Sequence, residues 1–295
     1  MLSKARKKLT SALIGIGAFS LGVYYEKSSS LYAETPTDTL VKLKEASGDF
    51  VDFPNKKNIP SNVKNIAKHG FPSSDSLRSY PNFVVSYDRK NRIPHWVLEH
   101  ITPDMLKSDK YDRGKDDFYE DESFHPFFRA TNSDYKASGY DRGHLAAAGN
   151  YRSNPDYIKE TFVLSNIAPQ VGKGFNRNKW NDLEKYTRKK ILKSTQGWVC
   201  TGPLFLPHRD MIDNKFYVRY EVIGNNQVAV PTHFFKAILT EVNGNYHLET
   251  FVLPNTSIRD ETPLFKFRVN PEAIERAAGI ILFNSINRAH LKIAQ

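Results

Sequence analysis

The stretch Gly139–Gly149, "GYDRGHLAAAG", decides how this chain is read. In an extended segment side chains alternate between faces, so Arg142 and His144 point the same way. A guanidinium beside an imidazole on one face suits cleavage of a phosphodiester. The planar fork of arginine holds or neutralises a phosphate, and a neutral imidazole takes a proton from water. Gly143 permits close approach of backbone or substrate, and the small residues of "LAAAG" keep the surroundings uncrowded. A blander alternative pairs Asp141 with Arg142 in a turn and packs His144 against the core. The same four letters occur upstream in "KYDRGKDD", at Tyr111–Gly114, with no base after the glycine and with charges around them. That copy is expected to be a solvated turn without a catalytic part, and Arg113 to be dispensable for turnover.

A second group of residues lies downstream in "SNIAPQVGKGFNRNKWNDLE", which contains Asn166, Asn176 and Glu184. An asparagine amide oxygen is a hard ligand suited to Mg²⁺, which keeps several of its waters. Asn176 precedes a helix in which Glu184 falls about two turns on, a separation that suits an acid orienting water rather than gripping an ion. The structural alternatives are an N-cap role for Asn176 or Asn178 and an ion pair of Glu184 with Arg188 at i+4. The helix itself is expected from Trp180, Leu183, Thr187 and Ile191 at helical spacing, with Gly197 as its stop.

Around these motifs the chain reads as mixed α+β: a mainly antiparallel sheet with flanking helices. Two β-rich runs flank "DRKNR" (Asp88–Arg92) as a hairpin, and Thr102–Gly139 is expected to be mostly loop. "TFVLSNIAPQ" is expected to hold a short strand. Further strand-like runs are "WVCTGPLFL", "KFYVRYEVI", "QVAVPTHFFKAILTEV" and "YHLETFVL", with turns at "GNN" and "NGN". "NPEAIERAAG" has proline at a helix start and glycine at its stop. Hydrophobic residues at 40% and aromatics at 13% describe a folded chain, and the net charge of +10 favours a polyanionic partner. The single Cys200 excludes an intrachain disulfide and a multi-cysteine zinc site, and its apolar neighbours predict an inert buried thiol. Before the folded part, basic "MLSKARKK" leads into the uncharged Leu9–Tyr25, compatible with a mitochondrial targeting and anchoring segment, a secretory signal or a signal anchor. The expected organisation is a targeting or anchor segment over 1–25, a linker over 26–59 and one domain over 60–295. His125, His208 and His233 are expected to be structural, and "RKKILK" (Arg188–Lys193) a solvated face that could add to a nucleic-acid footprint.

"DRGH" followed some thirty residues on by N-x-x-x-W-x-x-L-E resembles the ββα-metal DNA/RNA non-specific endonuclease family. The likeness extends through "SGYDRGHLAAAGN", "LSNIAPQVG", "FNRNKWNDLEKY", "CTGPLFLP", "YEVIG" and "VAVPTHFFK", from about Tyr80 to Gly279. The resemblance implies a ββα-metal motif and metal-dependent hydrolysis of DNA and RNA, single- or double-stranded, to 5′-phosphate and 3′-hydroxyl ends. His144 would be the general base and Asn176 the one direct protein ligand of Mg²⁺ or Mn²⁺. Glu184 would hold one of the ion's waters, Arg142 would contact the scissile phosphate, and Asn166 would help order the site. It further implies a homodimer of mitochondrial origin, tethered to the inner membrane through residues 9–25, facing the intermembrane space and released to the nucleus in cell death. Two alternatives stand beside this: a related mitochondrial nuclease working from 5′ ends, and a silent nucleic-acid-binding homologue. Where some members carry a basic residue after the phenylalanine of the acidic loop, this chain has Tyr119, so it either does without that phosphate contact or uses Arg129 or Lys136.

Overall fold

The computed structural model describes residues 61–107 and 117–293, so the amino-terminal segment and the first YDRG copy, with Arg113, lie outside the described residues. After helix α1 (Ser61–Ile66), strand β1 (Leu77–Ser79) pairs with β2 (Phe83–Asp88), which forms a hairpin with β3 (Ile93–Ile101). Asp88 closes that turn: its Oδ1 accepts from the backbone N–H of Lys90 and Asn91 at 2.9 and 3.0 Å. Of residues 102–139, the described ones (102–107 and 117–139) carry little regular structure, as expected, apart from one-turn pieces such as α2 (Pro103–Leu106) and α3 (Asn132–Tyr135). Strand β4 (Tyr140–His144), helix α4 (Pro155–Glu160), strand β5 (Ile167–Val171) and helix α5 (Asn181–Ile191) follow. Of "TFVLSNIAPQ", only the second half is strand. The chain then enters β6 (Gln196–Leu204), the two-residue strands β7 (His208–Arg209), β8 (Phe216–Tyr217), β9 (Val222–Ile223) and β10 (Val228–Ala229), and the long hairpin β11 (His233–Val242) and β12 (Asn245–Pro254). Asn243 and Gly244, both at positive φ (51° and 77°), form the tight turn of that hairpin. Helix α6 (Pro271–Ala278) begins on its proline and stops at left-handed Gly279, and β13 (Leu291–Ile293) ends the described chain.

The main sheet has the order β1-β2-β3-β6-β11-β12-β13, antiparallel throughout except for the parallel β12–β13 pair. Its faces bury separate apolar layers. Val84, Trp96, Leu98, Trp198, Phe235 and Leu248 point to one side and pack with α1 and α6. Val85, Val97, Ile238, Phe251 and Leu253 point to the other, where they meet Phe175, Trp180 and Leu183 at the start of α5 and the residues around β4 and β5. β4 and β5 form their own antiparallel ribbon, so two strands and a helix stand as a ββα unit on the sheet.

Helix α5 has the face read from its spacing: Trp180, Leu183, Thr187 and Ile191 are all buried. Gly197 is not its stop. The helix ends at Ile191, and Gly197 sits inside β6, where a Cβ would come 2.8 Å from Ile191 Cγ1. The glycine lets the helix end close onto the strand. "KFYVRYEVI" is not a continuous strand either: only its two short pairs form, and Phe216, Tyr217, Val218 and Val222 remain exposed because no neighbouring sheet covers them. Pro231 splits the next run, so β11 starts at His233. Among the described residues, no helix is long and apolar enough to cross a membrane.

Candidate active site

The β4–β5 ribbon pairs Arg142 with Pro169 and His144 with Ile167. The alternation expected of a strand is realised, and Arg142 and His144 meet the same ring: Arg142 Cζ lies 4.6 Å from the Phe118 centroid and the His144 ring 5.3 Å from it. Phe162 meets His144 edge-on at 4.7 Å. These contacts restrict an imidazole that is only 6% exposed. Arg142 is steered by Asn132, whose Oδ1 accepts from Nη1 at 2.5 Å. Behind the histidine, fully buried Asn166 clamps the chain: its Oδ1 accepts from Ala146 N–H at 2.9 Å, and its Nδ2 donates to the carbonyls of Ala146 and Thr161 at 3.1 and 2.8 Å. Asn166 therefore does not line the cleft; it orders the backbone two residues beyond His144.

The opposite wall is made by the turns Gly172–Trp180 leading into α5, in which Gly174 takes φ 86°. Neither Asn176 nor Asn178 is the N-cap of α5, which starts after Trp180 with no side-chain cap; Asn178 Oδ1 instead accepts from the earlier Gly174 N–H at 2.9 Å and closes the turn. Asn176 is held by Asp141, whose Oδ2 accepts from Asn176 Nδ2 at 2.9 Å. Arg177 grips the same carboxylate, donating from Nε at 2.8 Å and from Nη2 at 2.6 Å. A carboxylate only accepts, so the amide nitrogen must face Asp141 and the amide oxygen faces away from it. The Arg177 hydrogen bonds, seconded by Asn176, hold the Asp141 carboxyl below the usual range despite partial burial. The turn pairing Asp141 with Arg142 is thus not formed. Glu184, in the first turn of α5, reaches Arg188 Nη1 at 4.0 Å, so the i,i+4 pair is present but long.

Arg142, His144, Asn176 and Glu184 come together around one polar cleft of about 560 Å³, shared with Phe118, Tyr140, Asp141 and Asn181. Sequence reasoning missed Asp141 as the orienter of Asn176, Asn132 as the partner of Arg142, and Phe118 as the shared platform. For Asp141 the only local hint was its place inside the motif. The other residues weighed as candidates fall elsewhere. His233 bonds Thr232 Oγ1 at 3.0 Å, His125 accepts from Phe127 N–H, and His208 stands on the exposed pair β7–β8. Burial pushes the Cys200 thiol up, as an inert buried cysteine requires. Arg129 is spent on the carbonyls of Phe124 and Glu122, whereas Lys136 is exposed. Of "RKKILK", Arg188 turns inward, Lys190 pairs with Glu249, and Lys189 and Lys193 face solvent.

The sequence model of the DNA/RNA non-specific endonuclease family matches residues 62–289. The chain belongs to this family. Within it, the chain is 44% identical over 282 residues to a Caenorhabditis elegans protein named "Endonuclease G, mitochondrial", covering 93% of this chain and 91% of that one. It is 48% identical over 222 residues to the human protein of the same name, covering 75% and 74%. It is also 40% identical over 295 residues to the "Mitochondrial nuclease" of Saccharomyces cerevisiae, covering 94% and 86%. A solved structure of EndoG in complex with EndoGI, described as showing the mechanism of EndoG inhibition, superposes with a TM-score of 0.77. It is 52% identical and covers 80% of this chain and 97% of that one. As a DNA/RNA non-specific endonuclease the chain is a hydrolase of nucleic acids.

Proposed function

We propose that this protein is a sugar-non-specific endonuclease of the endonuclease G type, cutting single- and double-stranded DNA and RNA to 5′-phosphate and 3′-hydroxyl ends at the His144 cleft. The observation that carries the reading is the placement of Arg142 and His144 on one wall and of Asn176 and Glu184 on the other. His144 takes the proton from the attacking water, and the packing of Phe118 and Phe162 fixes the direction in which its ring faces. Arg142 bears on the scissile phosphate, its fork oriented by Asn132. Glu184 accepts from water in the cleft and keeps it in place.

The residues fit one Mg²⁺ or Mn²⁺. Asp141 turns the Asn176 oxygen outward as a single hard ligand, and a cleft of this volume leaves room for the waters that such an ion retains. When bound, the ion supplies Lewis-acid stabilisation of the charge that builds on the phosphate and the leaving oxygen. Contacts through the phosphate backbone, favoured by the positive net charge, agree with weak sequence preference.

The names of the relatives support a mitochondrial location; to that the proposal adds residues 1–25 as targeting and anchor segment, an inner-membrane tether through 9–25 facing the intermembrane space, and release to the nucleus in cell death. A homodimer is part of the same reading. The exposed apolar strip of Met211 (93%), Ile212 (96%) and Phe216 (69%) gives it a surface to cover, and sedimentation of the purified protein checks it. The central test is incubation of supercoiled circular plasmid with Mg²⁺. The wild type should nick and linearise it, His144→Ala should lose at least about a hundredfold in rate, and excess chelator should stop cleavage. Full cleavage by His144→Ala would falsify the assignment of the base. A wild type that spares circles but degrades linear DNA would identify an enzyme working from ends.

A further inference from the structure

A chain of polar contacts runs from the cleft into the sheet beneath α5. Arg188, one turn after Glu184, places Nη1 4.0 Å from Glu184 Oε2 and donates from the same atom to Asn150 Oδ1 at 3.3 Å. Asn150 donates through Nδ2 to Glu99 Oε1 at 2.9 Å, and Tyr151 OH donates to that oxygen at 2.8 Å. Glu99 is completely buried on β3. Buried Lys236 shares its face of the sheet and donates to Thr201 Oγ1 at 2.6 Å. Gly149, the last residue of the opening motif, makes room for this arrangement: a Cβ there would lie 3.0 Å from Arg188 Nη1.

Buried charges are retained at a desolvation cost that apolar replacements avoid, so charges directly under a reactive cleft point to a task there. The orientation logic repeats that of Asp141 and Asn176. Arg188 can only donate, so the Asn150 oxygen faces it and the Asn150 nitrogen faces Glu99 Oε1. Arg188 is then held between two acceptors, one buried and one in the cleft. That hold restricts the terminal torsions of Glu184.

We propose that Asn150, anchored by Glu99, is a positioning residue for Glu184 and acts on it through Arg188. This rests on the reading of Glu184 as the group that holds water in the cleft. Outer partners of this kind typically contribute about 10- to 100-fold in activity or metal affinity. The test uses the full chain in a double-mutant cycle of Asn150→Ala and Glu184→Gln, with kcat and KM measured on an oligonucleotide. Asn150→Ala should lower kcat about tenfold with KM within about twofold, and should weaken Mn²⁺ binding, read by calorimetry, several-fold. In the Glu184→Gln background the same substitution should cost almost nothing more, because residues that act through one another are not additive.

Unchanged kcat in Asn150→Ala, or losses that multiply in the double variant, would overturn the relay while leaving the role of Glu184 intact. Unchanged turnover in Glu184→Gln would instead remove the reading of Glu184 and the relay with it. Should Asn150→Ala fail to fold, Arg188→Lys decides. It keeps the charge but ends one atom short of Nη1, the nitrogen that joins Asn150 to Glu184, so a kcat-only loss supports the proposal and full kcat overturns it.

Discussion

Asp141 and Arg142 are neighbours on β4 and point to opposite sides of the strand, which is why they cannot pair with each other. Asp141 instead binds Asn176 and Arg177, and Arg142 turns to Asn132. An amide at position 141 could offer either end to Asn176 and would lose the Arg177 ion pair. Asp141→Asn is therefore expected to lower turnover by about 10- to 100-fold with the fold retained. Steady-state rates alongside circular dichroism check this, and unaltered turnover would show that Asn176 needs no orienting partner. At this scale the sequence displayed the residue types with chemistry to offer: His144, Arg142, Asn176 and Glu184. It did not display Asp141, Asn132 or Phe118 as partners, since each contact depends on a neighbour fixed by the fold.

The elements show a similar division. Helix α5 was legible because its buried stripe repeats at helical spacing, and the β2–β3 and β11–β12 hairpins because their turns carry local chemistry: the Asp88 cap and Asn243–Gly244. Gly143 had suggested close approach by backbone or substrate, but the β4–β5 pairing gives that space to Gln170, whose side chain would lie 2.1 Å from an added Cβ. Gly143→Ala must displace a buried glutamine and so overpack the ribbon that carries His144. A loss of about 1–3 kcal/mol in stability is expected, together with reduced kcat. Thermal melting and kinetics on the same preparation read both, and a variant as stable and active as the wild type would show that the ribbon absorbs the change.

Over the whole molecule, the sheet buries two separate apolar layers, and the one away from the cleft contains an acid-sensitive group. His69 packs edge-on against Trp198 at 4.2 Å and Tyr246 at 4.8 Å, and burial lowers its pKa to about 4. A histidine whose folded pKa lies below its unfolded value, near 6.5, takes up more protons when unfolded across that interval. Its contribution to stability is therefore present above about pH 6.5 and is lost as pH falls through about 4. His69→Phe keeps an aromatic ring without the titration, so its melting temperature should fall less than that of the wild type between pH 7 and pH 4. Parallel melting curves over that interval would contradict the assignment.

Some of the protein follows from sequence alone. The mixed α+β class, the helix and hairpin positions and the chemistry of the DRGH and N-x-x-x-W-x-x-L-E motifs depend on caps, turns and periodicity within a few residues of one another. The tertiary structure decided the rest. It set the seven-strand order, left "KFYVRYEVI" largely outside any sheet, placed Gly197 inside β6 and brought Asp141 to Asn176. Those outcomes depend on contacts between residues far apart in the chain, whose partners are selected only when strand register and burial fix which faces meet.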